Sequence, residues 1–174
     1  CLVGSEMCKR DRIKTKPIAG TLRKTKKINH NKALAFFRRN EKETKEHNMI
    51  VDMERNDLSK ICKTGSVKID KLKTVEEYRD LFHYVTTIKG VLKNKITNHD
   101  IISSLMPGGS VIGCPKISTI QLLNQKEKSE RNIYTGSFGI IHSNGDMRFN
   151  IMIRTLLNFK NAIELSVASG VILG

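Results

Sequence analysis

The chain has 174 residues, 39% of them hydrophobic, so it is long enough to bury one domain-sized core. Its formal net charge is +14, but only 5% of the residues are aromatic and there is no Trp. The lysines are scattered over turns and helix faces, with one modest cluster at 23–27, and no nucleic-acid-binding signature interleaves them with stacking rings. A lysine-rich solvated surface is therefore favoured over nucleic-acid binding.

The cysteines and the apolar runs argue for a cytoplasmic protein. Cys1, Cys8, Cys62 and Cys114 form neither a CxxC pair nor a zinc-type spacing with His, which predicts reduced thiols. No apolar run approaches the roughly 20 residues that span a bilayer, and no signal-peptide pattern is present. The chain begins without Met and stops inside an apolar run, so we expect one domain, 1–174, truncated at both ends.

The first elements in chain order are a β-hairpin and two helices. Residues 2–7 and 13–18 have the composition of strands on either side of a basic turn at 9–11. Apolar residues then recur at helical spacing, which predicts helices over roughly 31–40 and 41–62.

The middle of the chain mixes short strands and helices. The pattern predicts a strand over 67–72, a short helix from Val75 and a strand over 83–89. A short helix at 100–105 and a Gly-rich loop at 107–116 follow.

The last third is predicted to contain one more helix, with apolar residues at 117–123, and then a three-stranded meander. The three strands span about 132–142, 147–157 and 162–173, and an Asn144-Gly145 hairpin signal joins the first two. Antiparallel hairpins mixed with helices predict the α+β class.

Glu43 and Glu46 form a candidate metal site. They are three residues apart on a predicted helix, so both carboxylates lie on one face, where a hard divalent ion such as Mg²⁺ would balance their charge. Lys42 and Lys45 alternate with them. On spacing alone, an exposed salt-bridged helix face is favoured over a magnesium site.

The segment Pro107 to Lys116 is a candidate anion-binding loop. It holds three glycines and ends in a Lys at the start of a helix, where backbone N–H groups and the helix dipole attract anions. It does not match the Walker pattern. Taken alone, a turn without a ligand is favoured.

Three further side chains are candidates for chemistry. An imidazole ordinarily titrates near neutral pH, which suits His83 to acid or base work, although a lone His is more often structural. Arg154, predicted in mid-strand among apolar neighbours, needs a partner, and a carboxylate ligand and a structural acid compete equally for that role. Tyr134 on the preceding strand is placed to face it across the sheet. The set suits a small dicarboxylate substrate.

Five ordered segments resemble the chorismate-binding enzymes. They are Lys16 to Thr21 (KPIAGT), Glu46 to Leu58 (EHNMIVDMERNDL), Pro107 to Lys116 (PGGSVIGCPK), Ile133 to Ser137 (IYTGS) and Phe149 to Leu156 (FNIMIRTL). This family includes anthranilate synthase component I, aminodeoxychorismate synthase component I, and the isochorismate and salicylate synthases. The resemblance implies an α/β sandwich of antiparallel sheets flanked by helices, of which the chain forms the central and later portion.

The resemblance also implies roles for the reacting groups. Glu43 and Glu46 are similar to the family's first pair of magnesium-binding glutamates, which outweighs the salt-bridged alternative. His83 matches the active-site histidine. Glu6 aligns with a glutamate assigned acid/base work, with Ser5 where the family has Pro. The family's second pair of metal glutamates follows the last strand seen here, so the isolated chain is expected to be inactive.

The expected substrate contacts follow from the same motifs. Tyr134 and Arg154 match the pair that holds the enolpyruvyl carboxylate, and Ser110 takes the place of a substrate-contacting Ser or Thr. The remaining expected contacts are Lys116, Gly136, Ser169 and Gly170.

The motifs favour one family member. Residues 107–110 and 149–156 are similar to aminodeoxychorismate synthase, which uses chorismate and ammonia from a glutamine amidotransferase. Ala19 argues for anthranilate synthase, because many aminodeoxychorismate synthases carry a nucleophilic Lys there. Anthranilate synthase is therefore the alternative, and a non-enzymatic basic binding module is the remote one.

Overall fold

A computed structural model describes the backbone of residues 2–3 and 6–9 and the whole of residues 11–166. The helices are α1 (His30–Arg39), α2 (Glu41–Ile61), α3 (Asn98–Leu105), α4 (Gly109–Ile112) and α5 (Lys116–Lys126). The strands are β1 (Leu2–Val3), β2 (Glu6–Lys9), β3 (Arg12–Thr15), β4 (Pro17–Arg23), β5 (Lys68–Glu77), β6 (Leu81–Val91), β7 (Ser137–Ile141), β8 (Met147–Ile151), β9 (Leu156–Asn158) and β10 (Ile163–Leu165). All strand pairs are antiparallel, which confirms the α+β class.

Strand β6 is the centre of the main sheet, whose order is β1-β4-β6-β3-β2-β8-β7. One edge of β6 pairs first with β4 and then with β3, while β5 pairs along its other edge. Seven consecutive residues, 82–88, are buried, as expected for a strand covered on both faces. This strand supplies the rigid base on which His83 sits.

Helix α2 packs its inner face against this sheet. Its N-cap is Asn40, whose side-chain oxygen accepts a hydrogen bond from the Glu43 N–H at 3.2 Å. The buried residues of the helix recur at helical spacing and are His47, Ile50, Val51, Glu54, Asp57, Leu58 and Ile61. Two carboxylates and an imidazole therefore lie on the face that normally holds only apolar side chains.

Helix α1 covers an apolar cluster at the start of β6. Its Ala33 and Phe37 are fully buried against Phe82 and Tyr84 of β6 and Val75 of β5. The rings of Phe37 and Tyr84 stack with centroids 4.9 Å apart. Among the described residues, no helix is long and apolar enough to cross a membrane.

The structure differs from the predicted elements in several places. The short helix expected from Val75 is wrong, because β5 continues through it and Val75 pairs with Tyr84 in the sheet. Arg154 is not in mid-strand: β8 ends at Ile151 and Arg154 has a positive φ of 51°. The three-stranded meander is also wrong, since β8 pairs with β2 and β7, and β9 and β10 form a separate hairpin.

Candidate active site

The side chains of Thr21 and His83 meet where β4 pairs with β6. The two residues are directly opposite in the strand register, and Thr21 Oγ1 lies 3.1 Å from His83 Nδ1. His83 is buried, and the ring of Tyr78 lies edge-on to it with centroids 5.2 Å apart. The imidazole is therefore held in one orientation on a rigid strand.

Burial lowers the pKa of His83 below its ordinary value, and the positive charge of Arg154 lowers it further. The Gly20 backbone and the Glu76 carboxylate act in the opposite direction but do not reverse the shift. His83 is thus mainly neutral at neutral pH, the state in which it can accept a proton.

Glu43 reaches the same segment of β4 from the helix side. A Cβ added to Gly20 would lie 3.1 Å from Glu43 Oε2 and 2.9 Å from Phe37 Cε1. Gly20 has a φ of +105°, a conformation that L side chains rarely adopt. Only glycine at this position lets the carboxylate approach the backbone beside His83.

Glu43 and Glu46 are both half-buried on α2. Within residues 11–166, neither carboxylate takes part in an ion pair, so the salt-bridged face expected from Lys42 and Lys45 does not form there. Two partly buried carboxylates that form no ion pair with the described residues fit a hard divalent cation. No group of three or more metal-ligating side chains is present in the described part of the chain.

His47 is a site residue that the sequence analysis missed. It is fully buried, and Nδ1 lies 3.3 Å from the Ala19 carbonyl while Nε2 lies 2.6 Å from Thr86 Oγ1. A carbonyl can only accept, so Nδ1 carries the proton and the Thr86 hydroxyl donates to Nε2. Burial lowers the pKa of His47, which keeps this neutral form. The helix that carries Glu43 and Glu46 is thereby tied to buried Ala19.

The signal that could have found His47 is its place in the buried stripe of α2, three residues before Ile50. A polar residue in such a stripe needs hydrogen-bond partners. Its two partners come from β4 and β6, and local sequence gives no indication of them.

The Gly-rich loop carries an unpartnered hydroxyl. Ser110 lies in the short helix α4, and within the described residues its buried Oγ has no hydrogen-bond partner. Such an orphan group is costly unless a ligand or water satisfies it. This geometry is compatible with the expected substrate contact of Ser110.

Lys116 is placed differently from the expected substrate contact. Its Nζ lies 2.5 Å from Asp57 Oδ2, 3.0 Å from the Ser104 carbonyl oxygen and 3.3 Å from that of Leu105. A lysine has three N–H donors, and these three acceptors match them in number. A direct contact with a substrate would require the release of one of these partners.

The segments of Tyr134 and Arg154 lie side by side. Tyr134 is not on a strand as predicted, because β7 begins only at Ser137. Just before that start, the Thr135 N–H donates to the Met152 carbonyl and the Met152 N–H donates to the Gly136 carbonyl, each at 2.9 Å. Tyr134 is half-buried and Arg154 is exposed. The pairing brings the two candidate carboxylate-binding segments together, with Gly136 as a backbone acceptor between them.

For three of the expected site residues the structure describes no side chain. Glu6 lies on β2, where its backbone is opposite Phe149 of β8. Ser169 and Gly170 lie outside the described residues.

Comparison with known proteins places the chain in a family. Residues 7–174 match the sequence profile of the chorismate binding enzymes. The chain belongs to this family. The membership expected from the five motifs is therefore confirmed.

Chorismate-binding relatives of two kinds are about equally similar. The chain is 37% identical over 162 residues to aminodeoxychorismate synthase component 1 of Bacillus subtilis, covering 92% of this chain and 34% of the relative. It is 37% identical over 163 residues to an anthranilate synthase component 1 of Haloarcula marismortui, covering 93% of this chain and 33% of the relative. The chain spans about a third of the length of these relatives.

The solved structure of anthranilate synthase component I from Streptococcus pneumoniae has the same fold. It superimposes with a TM-score of 0.74 at 35% identity, covering 88% of this chain and 34% of that one. The expected type of fold is thus confirmed. Sequence identity alone does not show whether the chain is nearer to the aminodeoxychorismate synthases or to the anthranilate synthases.

Proposed function

We propose that the chain is the part of an aminodeoxychorismate synthase component I that carries one magnesium ligand pair and the active-site histidine. The enzyme would replace the ring hydroxyl of chorismate at C4 by an amino group, on the way to 4-aminobenzoate and folate. The observation that supports this most is the convergence of Glu43 and His83 on the Gly20–Thr21 segment of β4.

Charge neutralisation is the first task of such a site. Glu43 and Glu46 would hold Mg²⁺, which supplies positive charge to a bound carboxylate and draws electrons from the ring as the hydroxyl leaves. Their half-burial strengthens these interactions relative to bulk water. The guanidinium of Arg154 would bind the other carboxylate and fix the orientation of the substrate, with Tyr134 beside it.

Proton transfer is the second task. His83, held neutral by burial, would accept a proton at the ring edge, and its hydrogen bond with Thr21 keeps the imidazole aligned. The unpartnered hydroxyl of Ser110 would gain a hydrogen bond from the ligand. Glu6 would protonate the leaving hydroxyl. Ammonia would come from a glutamine amidotransferase.

Ala19 bears on the mechanism of amination. Its methyl group is buried, with 1% of the residue exposed, and it offers no nucleophile. The reaction would therefore proceed by direct attack of ammonia, without a covalent intermediate at this position. Anthranilate synthase is the second candidate, since it shares this feature and the same level of identity.

Product analysis of the full-length protein tests the proposal. The protein would be incubated with chorismate, Mg²⁺ and an ammonium salt, with and without the lyase that converts aminodeoxychorismate to 4-aminobenzoate. Formation of 4-aminobenzoate only in the presence of the lyase is the expected result. Anthranilate with released pyruvate would assign the protein to the second candidate, and no product of either kind would contradict both.

A further inference from the structure

The Gly-rich loop is closed on itself by one buried side chain. Residues 106–115 connect α3 to α5, and Lys116, the first residue of α5, returns its ammonium group to the carbonyls of Ser104 and Leu105 at the end of α3. The two ends of the loop are thus joined through a single nitrogen.

The same ammonium anchors the loop to the helix of the magnesium ligands. Asp57 of α2 lies 2.5 Å from Lys116 Nζ, and the two side chains are only 6% and 13% exposed. Asp57 has a second cation, Lys60, at 2.9 Å, but the Lys60 side chain is 50% exposed. Separating a buried ion pair leaves an uncompensated buried charge, which is costly. The contact between Lys116 and Asp57 is therefore strongly held.

The loop also passes close to the stem of this lysine. A Cβ added to Gly109 would lie 3.7 Å from Lys116 Cε and 2.9 Å from Cys114 Sγ. Gly109 is the first residue of α4 and the neighbour of Ser110, whose buried hydroxyl is unpartnered. The position of Ser110 therefore depends on the course of the chain around Lys116.

We propose that Lys116 is a positioning residue, which acts with Asp57 to hold the 106–115 loop so that the Ser110 hydroxyl faces the substrate. This deepens the proposed function and rests on it for the identity of the substrate. Lys116 touches no ligand itself, because its three donors are used within the protein.

Hydrogen exchange tests the loop without any substrate. Lys116→Met keeps the aliphatic stem and removes the ammonium group. Amide exchange in the 106–115 loop should become at least tenfold faster, while peptides from β6 keep their protection. Lys126→Met, the same change at the exposed far end of α5, should leave both unchanged. Unchanged exchange in the loop of Lys116→Met, or equally faster exchange everywhere, would overturn the proposal.

Steady-state kinetics of the full-length protein test the link to Ser110. Loss of one ligand hydrogen bond raises KM by up to about tenfold, so Ser110→Ala and Lys116→Met should each raise KM for chorismate by about that factor. If Lys116 acts through Ser110, the double variant should have nearly the KM of Ser110→Ala. A KM of the double variant about a hundredfold above that of the wild type would overturn the proposal. A Lys116→Met variant with normal KM and a smaller fraction of active molecules would also overturn it.

Two further comparisons separate the possible failures. Asp57→Asn keeps the shape of the side chain and weakens the same ion pair, so it replaces Lys116→Met if that variant does not fold. A wild-type protein without activity on chorismate would contradict the proposed function, and the exchange experiment then decides alone whether Lys116 holds the loop.

Discussion

The hydroxyl of Thr21 lies 3.1 Å from Nδ1 of His83, between two residues that are directly opposite in neighbouring strands. The partner of His83 is therefore set by strand register and does not depend on a mobile loop. Orientation of an imidazole by a fixed hydrogen bond determines which nitrogen is available for proton transfer.

Substitution of His83 should remove most of the contribution that proton transfer makes to kcat. We expect His83→Gln to lower kcat by about 10² to 10⁴, the usual range for a general acid or base. Thr21→Val, which removes only the partner, should lower kcat by about tenfold with little change in KM. Thr64→Val, at an exposed turn, is the control. Equal activity of Thr21→Val and the wild type would contradict the orienting role.

Arg154 should control the titration of His83. The charge of Arg154 lowers the pKa of His83, so Arg154→Gln should raise that pKa toward the ordinary 6.5. NMR titration of the imidazole C–H signals measures this directly and needs no substrate. Lys160→Gln removes an exposed charge of the same sign as a control. An unchanged titration in Arg154→Gln would show that the guanidinium does not act on His83.

Gly20→Ala should disturb both the backbone and the metal site. The added methyl would meet Phe37 at 2.9 Å and Glu43 at 3.1 Å, at a residue with φ of +105°. Gly65 has a φ of +74° with nothing within 4 Å of an added Cβ, so Gly65→Ala isolates the backbone strain of about 1 kcal/mol. Both variants should unfold at lower temperature. Only Gly20→Ala should weaken Mg²⁺ binding measured by calorimetry, and equal metal affinity would contradict the placement of Glu43.

Glu54 should make stability depend on pH. Burial, together with the charge of the neighbouring Asp57, raises the pKa of Glu54 to about 7, although Lys116 and Thr15 act in the opposite direction. The pKa in the folded state is above the unfolded value of 4.5, so the folded state retains a proton that the unfolded state releases. The free energy of unfolding therefore falls as pH rises from about 4.5 to about 7.

Glu54→Gln removes this titration. Relative to the wild type, the variant should gain stability between pH 5 and pH 8 in urea denaturation experiments, because an amide cannot ionise. Glu41→Gln, at the exposed start of the same helix, should show no such gain. A constant difference between Glu54→Gln and the wild type over this range would contradict the raised pKa.

The long helices were predictable because their apolar spacing and caps are local features. Helix α2 was expected over 41–62 and runs from Glu41 to Ile61, with Asn40 as its cap. The segment at Val75 was not predictable in the same way. Its local sequence is compatible with a helix, but pairing with Tyr84 and packing on Phe37 override that preference.

The candidate site was predictable only as a set of residues. Family motifs indicated Glu43, Glu46, His83 and Ser110, and the structure brings Glu43 and His83 to one segment of β4. The supporting contacts were not predictable: His47 with Thr86 and Lys116 with Asp57 join residues 39 and 59 positions apart. Their geometry arises from the packing of α2 on other elements.

Magnesium-dependent binding of chorismate tests the central claim most directly. Calorimetric titration of the full-length protein should give at least tenfold tighter chorismate binding with Mg²⁺ than with a chelator. Glu43→Gln and Glu46→Gln should each lose this difference, and Glu41→Gln, on the same helix, should keep it. The same affinity for chorismate with and without Mg²⁺ in the wild type would contradict the proposed site.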